Sequence, residues 1–555
     1  MSLRAPIAIL AISCSVAVKA APGDLDPSFG ASGKVTTPIG VTGGAYDVAL
    51  QADGKIVVAG VSGGDIAVCR YHVDGSLDTS FDGDGIVTTD VGTSSVDNAQ
   101  AVAVQPDGKL VVAGYSNAGT NYDFVVLRYT PDGSLDTTFD GDGKALVDFG
   151  GNDNAYGLAL LPDGKIAVVG VKDDYNFAVA RLASDGSLDT TFNLNGKQVT
   201  DFASSQDAAF DVAVQSDGKL VVCGESGYDL ALARYNVNGS LDTSFGGGDG
   251  KVTSDFSGNS DRALALAIRD DGAIVVSGYS NTGSSVDFAV ARYLENGTID
   301  TTFGVNGMVT VDLSAGGIDT ADGLVILAEG RILVGGQTNA AGTGDFGMVR
   351  YRSDGSLDPY FGTGGIVTTD FAGFSDKGRA VALQPDGRLV VVGQTRPTAT
   401  TSAFGLARYL GIVPRPDLHI GKKIGEQRGD DLYSGNGAGQ AIALKSKRNR
   451  KLKFFFTAEN DGTDPDSVRI RATRSDRHFS IRYHRISPTP GDVTMSVTRG
   501  RYAASALVPG TREQFVARIK PERGIRKRKT VRIQIASNLS SGTSDVAKAR
   551  MKTQP

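Results

Sequence analysis

The chain has 555 residues, with 73 glycines, no tryptophan and 40% hydrophobic residues, which excludes a disordered polymer and fits many short strands joined by tight turns. Its net charge of −6 hides a division: residues 1–410 carry 26 Lys and Arg against 49 Asp and Glu, while residues 411–555 carry 30 against 13. Two regions with different surfaces are therefore expected.

The first element is a leader. Residues 1–20, "MSLRAPIAILAISCSVAVKA", place Arg4 before an apolar run that ends in small residues at Val18 and Ala20. This is the pattern of a signal peptide cut after Ala20 or Ala21. Cys14 lacks the leucine three positions earlier that lipid attachment favours, because Ala11 stands there. No later stretch approaches the length of a membrane-spanning helix, so a secreted, periplasmic or cell-surface monomer is expected. Cys69 and Cys223 stand where other repeats carry small apolar residues and read as buried hydrophobes, not as a disulfide.

From residue 25 onward the chain repeats. "LDxxF" recurs at Leu25, Leu77, Leu135, Leu188, Leu241, Ile299 (as IDTTF) and Leu357. Between the copies stand seven variants of "PDGKLVVAG" and seven of "DFAVARY". Each unit holds four short runs rich in Val, Ala and Ile, separated by Asp-Gly turns. The runs lack polar alternation, so both faces must be covered. Four-stranded sheets repeated seven times and buried on both faces pack around an axis, which predicts an all-β, seven-bladed β-propeller over residues 25–410.

The arginine of each "ARY" segment is followed eight residues later by the aspartate of "LD". The pairs are Arg70 with Asp78, Arg128 with Asp136, Arg181 with Asp189, Arg234 with Asp242, Arg292 with Asp300 and Arg350 with Asp358. Arg408 has no such partner, and Asp26 has no arginine before it. A closed ring resolves both, with residues 25–40 supplying the outermost strand of the last blade and Asp26 meeting Arg408. Seven copies mark this pair as a structural brace, since an active site needs one asymmetric constellation.

The pattern "DxAxAVAxQxDGKIVVAG…DFAVARYxxDGSLDxxFGxxG", clearest at 97–143 and 261–307, resembles the delta-60 repeat of secreted bacterial propeller proteins. The resemblance covers residues 25–410 and implies a secreted propeller. It implies no catalytic residues and no cofactor. Departures are Asn176 and Ala403 at the aspartate of the third run, Leu182 at the tyrosine, and Glu329-Gly330 at a turn.

The loops between the second and third runs are longer in blades 2, 5, 6 and 7 and rich in Asn, Thr, Ser and Tyr. Variable loops on a rigid scaffold carry specificity, which makes Tyr115, Asn117, Tyr122, Tyr279, Asn281, Asn339 and Arg396 candidates for a ligand rim biased towards blades 5–7. A carbohydrate or protein ligand suits these hydroxyl, amide and aromatic groups. Asp82, Asp84, Asp140 and Asp142, spaced two apart beside glycines, are calcium candidates, with decorated glycine turns as the competing reading.

Residues 411–417, "GIVPRPD", read as a linker. Residues 418–555 carry alternating segments such as "KLKFFFTAEN" and "KTVRIQIAS" at the spacing of a β-sandwich, and resemble immunoglobulin-like modules of bacterial secreted proteins. Basic clusters at 445–453 and 523–532 offer a contact for anionic surface polymers, or alternatively protect strand edges. The four histidines show no metal-ligand spacing, and no nucleophile or phosphate-binding motif occurs. A non-enzymatic binding, adhesion or scaffold protein is the first expectation. A polysaccharide-acting enzyme with a carboxylate acid and base is the alternative.

Overall fold

The computed structural model describes residues 21–411, apart from positions 174, 204–205, 257–258, 328–329, 340–341 and 372, together with the backbone of strands between 416 and 553. The expected leader at residues 1–20 lies outside the described residues.

Seven four-stranded antiparallel sheets form the blades. In the first blade, Gly43–Leu50, Ile56–Ser62, Asp65–Tyr71 and Ile86–Thr89 pair in chain order. The turn after the first strand needs a left-handed residue, which Gly54 supplies at φ 85°. The first strands of the seven blades are Gly43–Leu50, Asp97–Val104, Asp153–Leu160, Asp207–Val214, Asp261–Ile268, Thr320–Ile326 and Lys377–Leu383. Each touches the first strands of the neighbouring blades, so these strands are innermost and surround the axis.

Among the described residues the core consists of seven clusters, one at each junction between blades. In the strand Ile56–Ser62, Ile56 and Val58 pack towards the last blade, while Val57 and Ala59 pack towards the second. Successive strand residues point to opposite faces, and both faces here meet a neighbouring sheet. This is why the strands read as continuous apolar runs. Cys69 and Cys223 are buried and free within these layers.

The last blade is completed by the beginning of the chain. Lys34–Thr37 pairs antiparallel with Phe404–Ala407. Asp26 N–H donates to the Arg408 carbonyl at 2.8 Å, and Gly23 N–H to the Leu410 carbonyl at 2.8 Å. Closure leaves no open edge between first and last blades, so the ring needs no capping repeat.

Beyond the propeller, described strands fall into two five-stranded sheets. A strand at Pro416–Gly421 takes up the last two residues of the stretch read as linker 411–417. How these sheets pack, and hence the sandwich expected at 418–555, lies outside the described residues. Among the described residues no helix is long and apolar enough to cross a membrane.

Candidate binding site at the propeller axis

The two faces of the ring carry different chemistry. One face holds the turns that follow the first and third strands, and with them the Arg–Asp pairs. Arg70 Nε donates to Asp78 Oδ2 at 2.7 Å, its Nη1 to the Pro131 carbonyl of the next blade at 2.5 Å, and its Nη2 to Ser80 Oγ at 3.1 Å. The guanidinium lies over Phe81 with its carbon 4.7 Å from the ring centroid, and Lys55 Nζ reaches Asp78 at 3.0 Å.

The same arrangement recurs around the ring. Nε–Oδ2 distances are 2.7 Å for Arg128–Asp136, Arg181–Asp189 and Arg292–Asp300, 2.8 Å for Arg234–Asp242 and 3.0 Å for Arg350–Asp358. Arg408 Nε donates to Asp26 Oδ2 at 2.9 Å, across the closure, and also bonds the Val73 carbonyl of the first blade. Burial pushes Asp78 up, but bonds from Ser80, Lys55 and Arg70 more than offset it and hold the carboxyl well below the usual range. Asp189 is held at about 2, where burial is likewise outweighed by bonds from Thr191 and Lys165 and by the charge of Arg181.

The calcium candidates lie on this face too, in turns. Asp84 Oδ1 accepts from Ile86 N–H at 2.9 Å, and Asp142 Oδ1 from Lys144 N–H at 2.9 Å. Asp82 and Asp140 take positive φ of 50° and 48°. Among the described residues none of the four belongs to a carboxylate trio close enough to share an ion. Through these bonds Asp84 and Asp142 close their turns.

The axis departs from sevenfold symmetry. Every innermost strand contains a β-bulge, for example between Ala45 and Asp47 and between Ala99 and Ala101. A bulge leaves one residue unpaired and re-aims its side chain. The residues skipped in this way include Tyr46, Gln100, Tyr156, Phe210, Leu264, Asp322 and Arg379.

These side chains and their neighbours touch in an arc of rings and an arc of charges. Tyr156 and Phe210 stack at 5.3 Å between centroids. Arg262 lies over Phe210 at 5.0 Å and Tyr279 at 5.6 Å, and its guanidinium grips Glu225 at 2.8 and 2.5 Å. Arg379 reaches Asp322 at 3.4 Å and lies over Tyr46 at 5.7 Å. Burial pushes the Tyr115 phenol up to about 12, with Tyr156, Tyr46 and Tyr122 adding to the rise.

Of the rim candidates, Tyr115, Tyr122 and Tyr279 converge on this site. Tyr115 and Tyr122 meet edge to face at 5.6 Å. Asn117 Oδ1 accepts from Val96 N–H and Asn281 Oδ1 from Gly283 N–H, so both shape loops. The Asn339 and Arg396 N–H groups donate to Asp319 and Asp376, and the Arg396 side chain is exposed. The rings at this site come from blades 1–5 and the charges from blades 4–7. Bulge residues were not among the sequence candidates. The trace they leave is compositional: in "DxAxAVA" the third position is alanine in six repeats, while the fourth varies among Tyr, Gln, Phe, Leu, Asp and Arg.

Seven segments, residues 51–81, 105–139, 161–192, 215–245, 269–303, 328–361 and 384–410, match the profile described as "Domain of unknown function (DUF5122) beta-propeller". No curated protein matches the sequence. Among solved structures, a protein of unknown function from Dyadobacter fermentans is similar at 12% identity and a TM-score of 0.37, over 70% of this chain and 100% of its own. Drosophila Plexin A, solved in complex with Semaphorin 1b, is similar at 10% identity and 0.34, over 67% and 88%. Neither likeness carries functional weight at those scores. Seven matched segments on seven observed blades make this chain a β-propeller repeat protein.

Proposed function

We propose that this chain is an exported, non-enzymatic binding protein of the delta-60 type that takes a carbohydrate or peptide ligand at the mouth of its axis. The observation that carries the reading is the asymmetric ring formed by the bulge residues. Stability alone asks for seven equivalent residues there, as it does at the braces. Instead, half-buried Tyr46, Tyr156 and Phe210 stand at bulges of three blades and half-buried Asp322 and Arg379 at those of two others, with Tyr115, Arg262 and Lys377 beside them. Ring faces stack on the apolar side of a sugar or on a peptide side chain, and fixed charges orient its polar groups. Residues 418–555, as an immunoglobulin-like β-sandwich with basic clusters, supply contact with an anionic envelope or matrix.

One observation speaks to the enzymatic alternative. Asp47 and Asp211 sit on the innermost strands, and burial pushes their carboxyls up to about 6 and about 7. Both oxygens of each already accept backbone bonds, Asp47 from Val48 and Val102, Asp211 from Val212 and Leu266. They stitch neighbouring blades together, which supports binding over acid–base work.

A glycan array followed by product analysis tests the proposal. Retention of an uncleaved oligosaccharide, with at least about tenfold weaker binding by Tyr115→Ala, is the expected result. Cleaved products would establish the enzyme instead, and absence of any retained glycan would remove the carbohydrate reading.

A further inference from the structure

The face opposite the braces repeats a different acidic arrangement. The aspartate at the start of the third strand, the one just after the fourth, and the one at the start of the next innermost strand come together at the junctions between blades. Among the described residues five such trios form: Asp65, Asp90 and Asp97; Asp123, Asp148 and Asp153; Asp229, Asp255 and Asp261; Asp287, Asp312 and Asp319; Asp345, Asp370 and Asp376. In each, one oxygen per carboxylate lies within 4.8 Å of the other two.

Three like charges held so close need a counter-charge. Asp345 is only 2% exposed, and its Oδ1 has no hydrogen-bond partner. At the same position of other repeats, Asp287, 7% exposed, and Asp123 each bring a buried Oδ1 in the same condition. A buried polar atom left unsatisfied is costly, and one that recurs by repeat points to a ligand that completes it.

The backbone prevents the trios from relaxing apart. Asp97 Oδ2 accepts from Val91 N–H at 2.7 Å, Asp153 Oδ2 from Phe149 N–H at 2.6 Å, and Asp376 Oδ2 from Phe371 N–H at 2.9 Å. Nearby lysines bond main-chain carbonyls of the same segments, Lys144 Nζ that of Asp90 at 2.9 Å and Lys34 Nζ that of Asp370 at 3.0 Å.

We propose that these five junctions are binding sites for a hard, oxygen-preferring divalent cation of the calcium type, one ion per trio. Carboxylate-only donor sets select such ions over zinc or copper, and water or main-chain carbonyls complete the shell. The calcium chemistry expected from "DGDG" spacing thus moves to the other face, where donors come from three separate strands. Two junctions lack the set, since Asn176 replaces the first aspartate beside Asp201 and Asp207, and Ala403 replaces it at the closure. The inference does not depend on what binds at the axis.

Equilibrium dialysis of the chelator-stripped full chain against about 1 mM CaCl2 tests it, together with melting curves. The expected result is about five bound calcium ions, one for each trio, and a Tm raised by about 3 °C or more. Asp345→Asn should bind one ion fewer, and Asn176 shows that the fold accepts asparagine at this strand position. If that variant fails to fold, exposed Asp370→Asn removes a donor from the same trio and should give the same loss. Binding of less than one equivalent, or undiminished stoichiometry in the folded variant, overturns the proposal.

Discussion

Tyrosines at the ends of the third strands show how single residues tie one blade to the next. Tyr71 Oη donates to Thr37 Oγ1 at 2.9 Å, Tyr235 Oη to Thr200 Oγ1 at 2.8 Å and Tyr409 Oη to Thr369 Oγ1 at 2.8 Å, each reaching the outer strand of the preceding blade. Where Leu182 replaces the tyrosine, its counterpart is Val147, and the two pack in one apolar cluster. Tyr351 is the exception. It faces Val311 at the equivalent place, and its buried hydroxyl has no partner. Val311→Thr should restore the bond and add about 1 kcal/mol, visible as a melting temperature raised by about 2 °C. An unchanged melt would show that water already satisfies this phenol. Leu182 stood out in the sequence as a departure from the repeat. Its compensation by Val147 was hidden, because the partner lies in another blade.

At the scale of elements, the closing strand and the bulges mark the limits of sequence reading. The number of blades and the closure were legible, because "LD" segments count the units and Asp26 is displaced to the front of the chain. Strand Lys34–Thr37 and the braced turn before it bury Phe29 and Ile39 against the first and last blades. Removing residues 21–40 should therefore expose that cluster and strand Arg408 unpaired. Loss of a buried charge's partner alone costs about 3–5 kcal/mol, so a sharp fall in the melting temperature is expected, and a melt equal to that of the parent would contradict the closure. The bulges were not legible. A bulge is a slip in hydrogen-bond register, and the residues on either side keep the same sequence spacing whether or not the slip occurs. The aspartate trios are not legible for a related reason, since their members lie up to about thirty positions apart in the chain and meet only once blades are stacked.

For the whole molecule, the innermost strands act as a hoop fastened by carboxylates. Asp47 Oδ2 accepts from Val102 N–H of the second blade, and Asp211 Oδ2 from Leu266 N–H of the fifth, each at 2.8 Å. Burial raises Asp211 to about 7, well above its unfolded value. The folded state then holds the proton more tightly than the unfolded chain between about pH 4 and pH 7, so stability falls as pH rises through that window. Asp211→Asn cannot ionise, and its melting temperature relative to the parent should climb from pH 5 to pH 8. The expected difference is on the order of 1–2 kcal/mol after allowance for water at the axis. A pH-independent difference would mean that the aspartate titrates normally.

The closure also decides which way the ring faces. Leu410 N–H donates to the Asp24 carbonyl at 2.9 Å while Gly23 N–H returns a bond to Leu410, so the chain enters and leaves the propeller side by side. Both points lie on the braced face, at the end of the third strand of the last blade. Whatever is joined to residue 411 therefore pulls on the two ends of one hydrogen-bonded clasp, and load is shared between the last blade and the strand that completes it. The axial mouth and the aspartate junctions open in the opposite direction. Residue 411 therefore leaves the ring from the face opposite these aspartates.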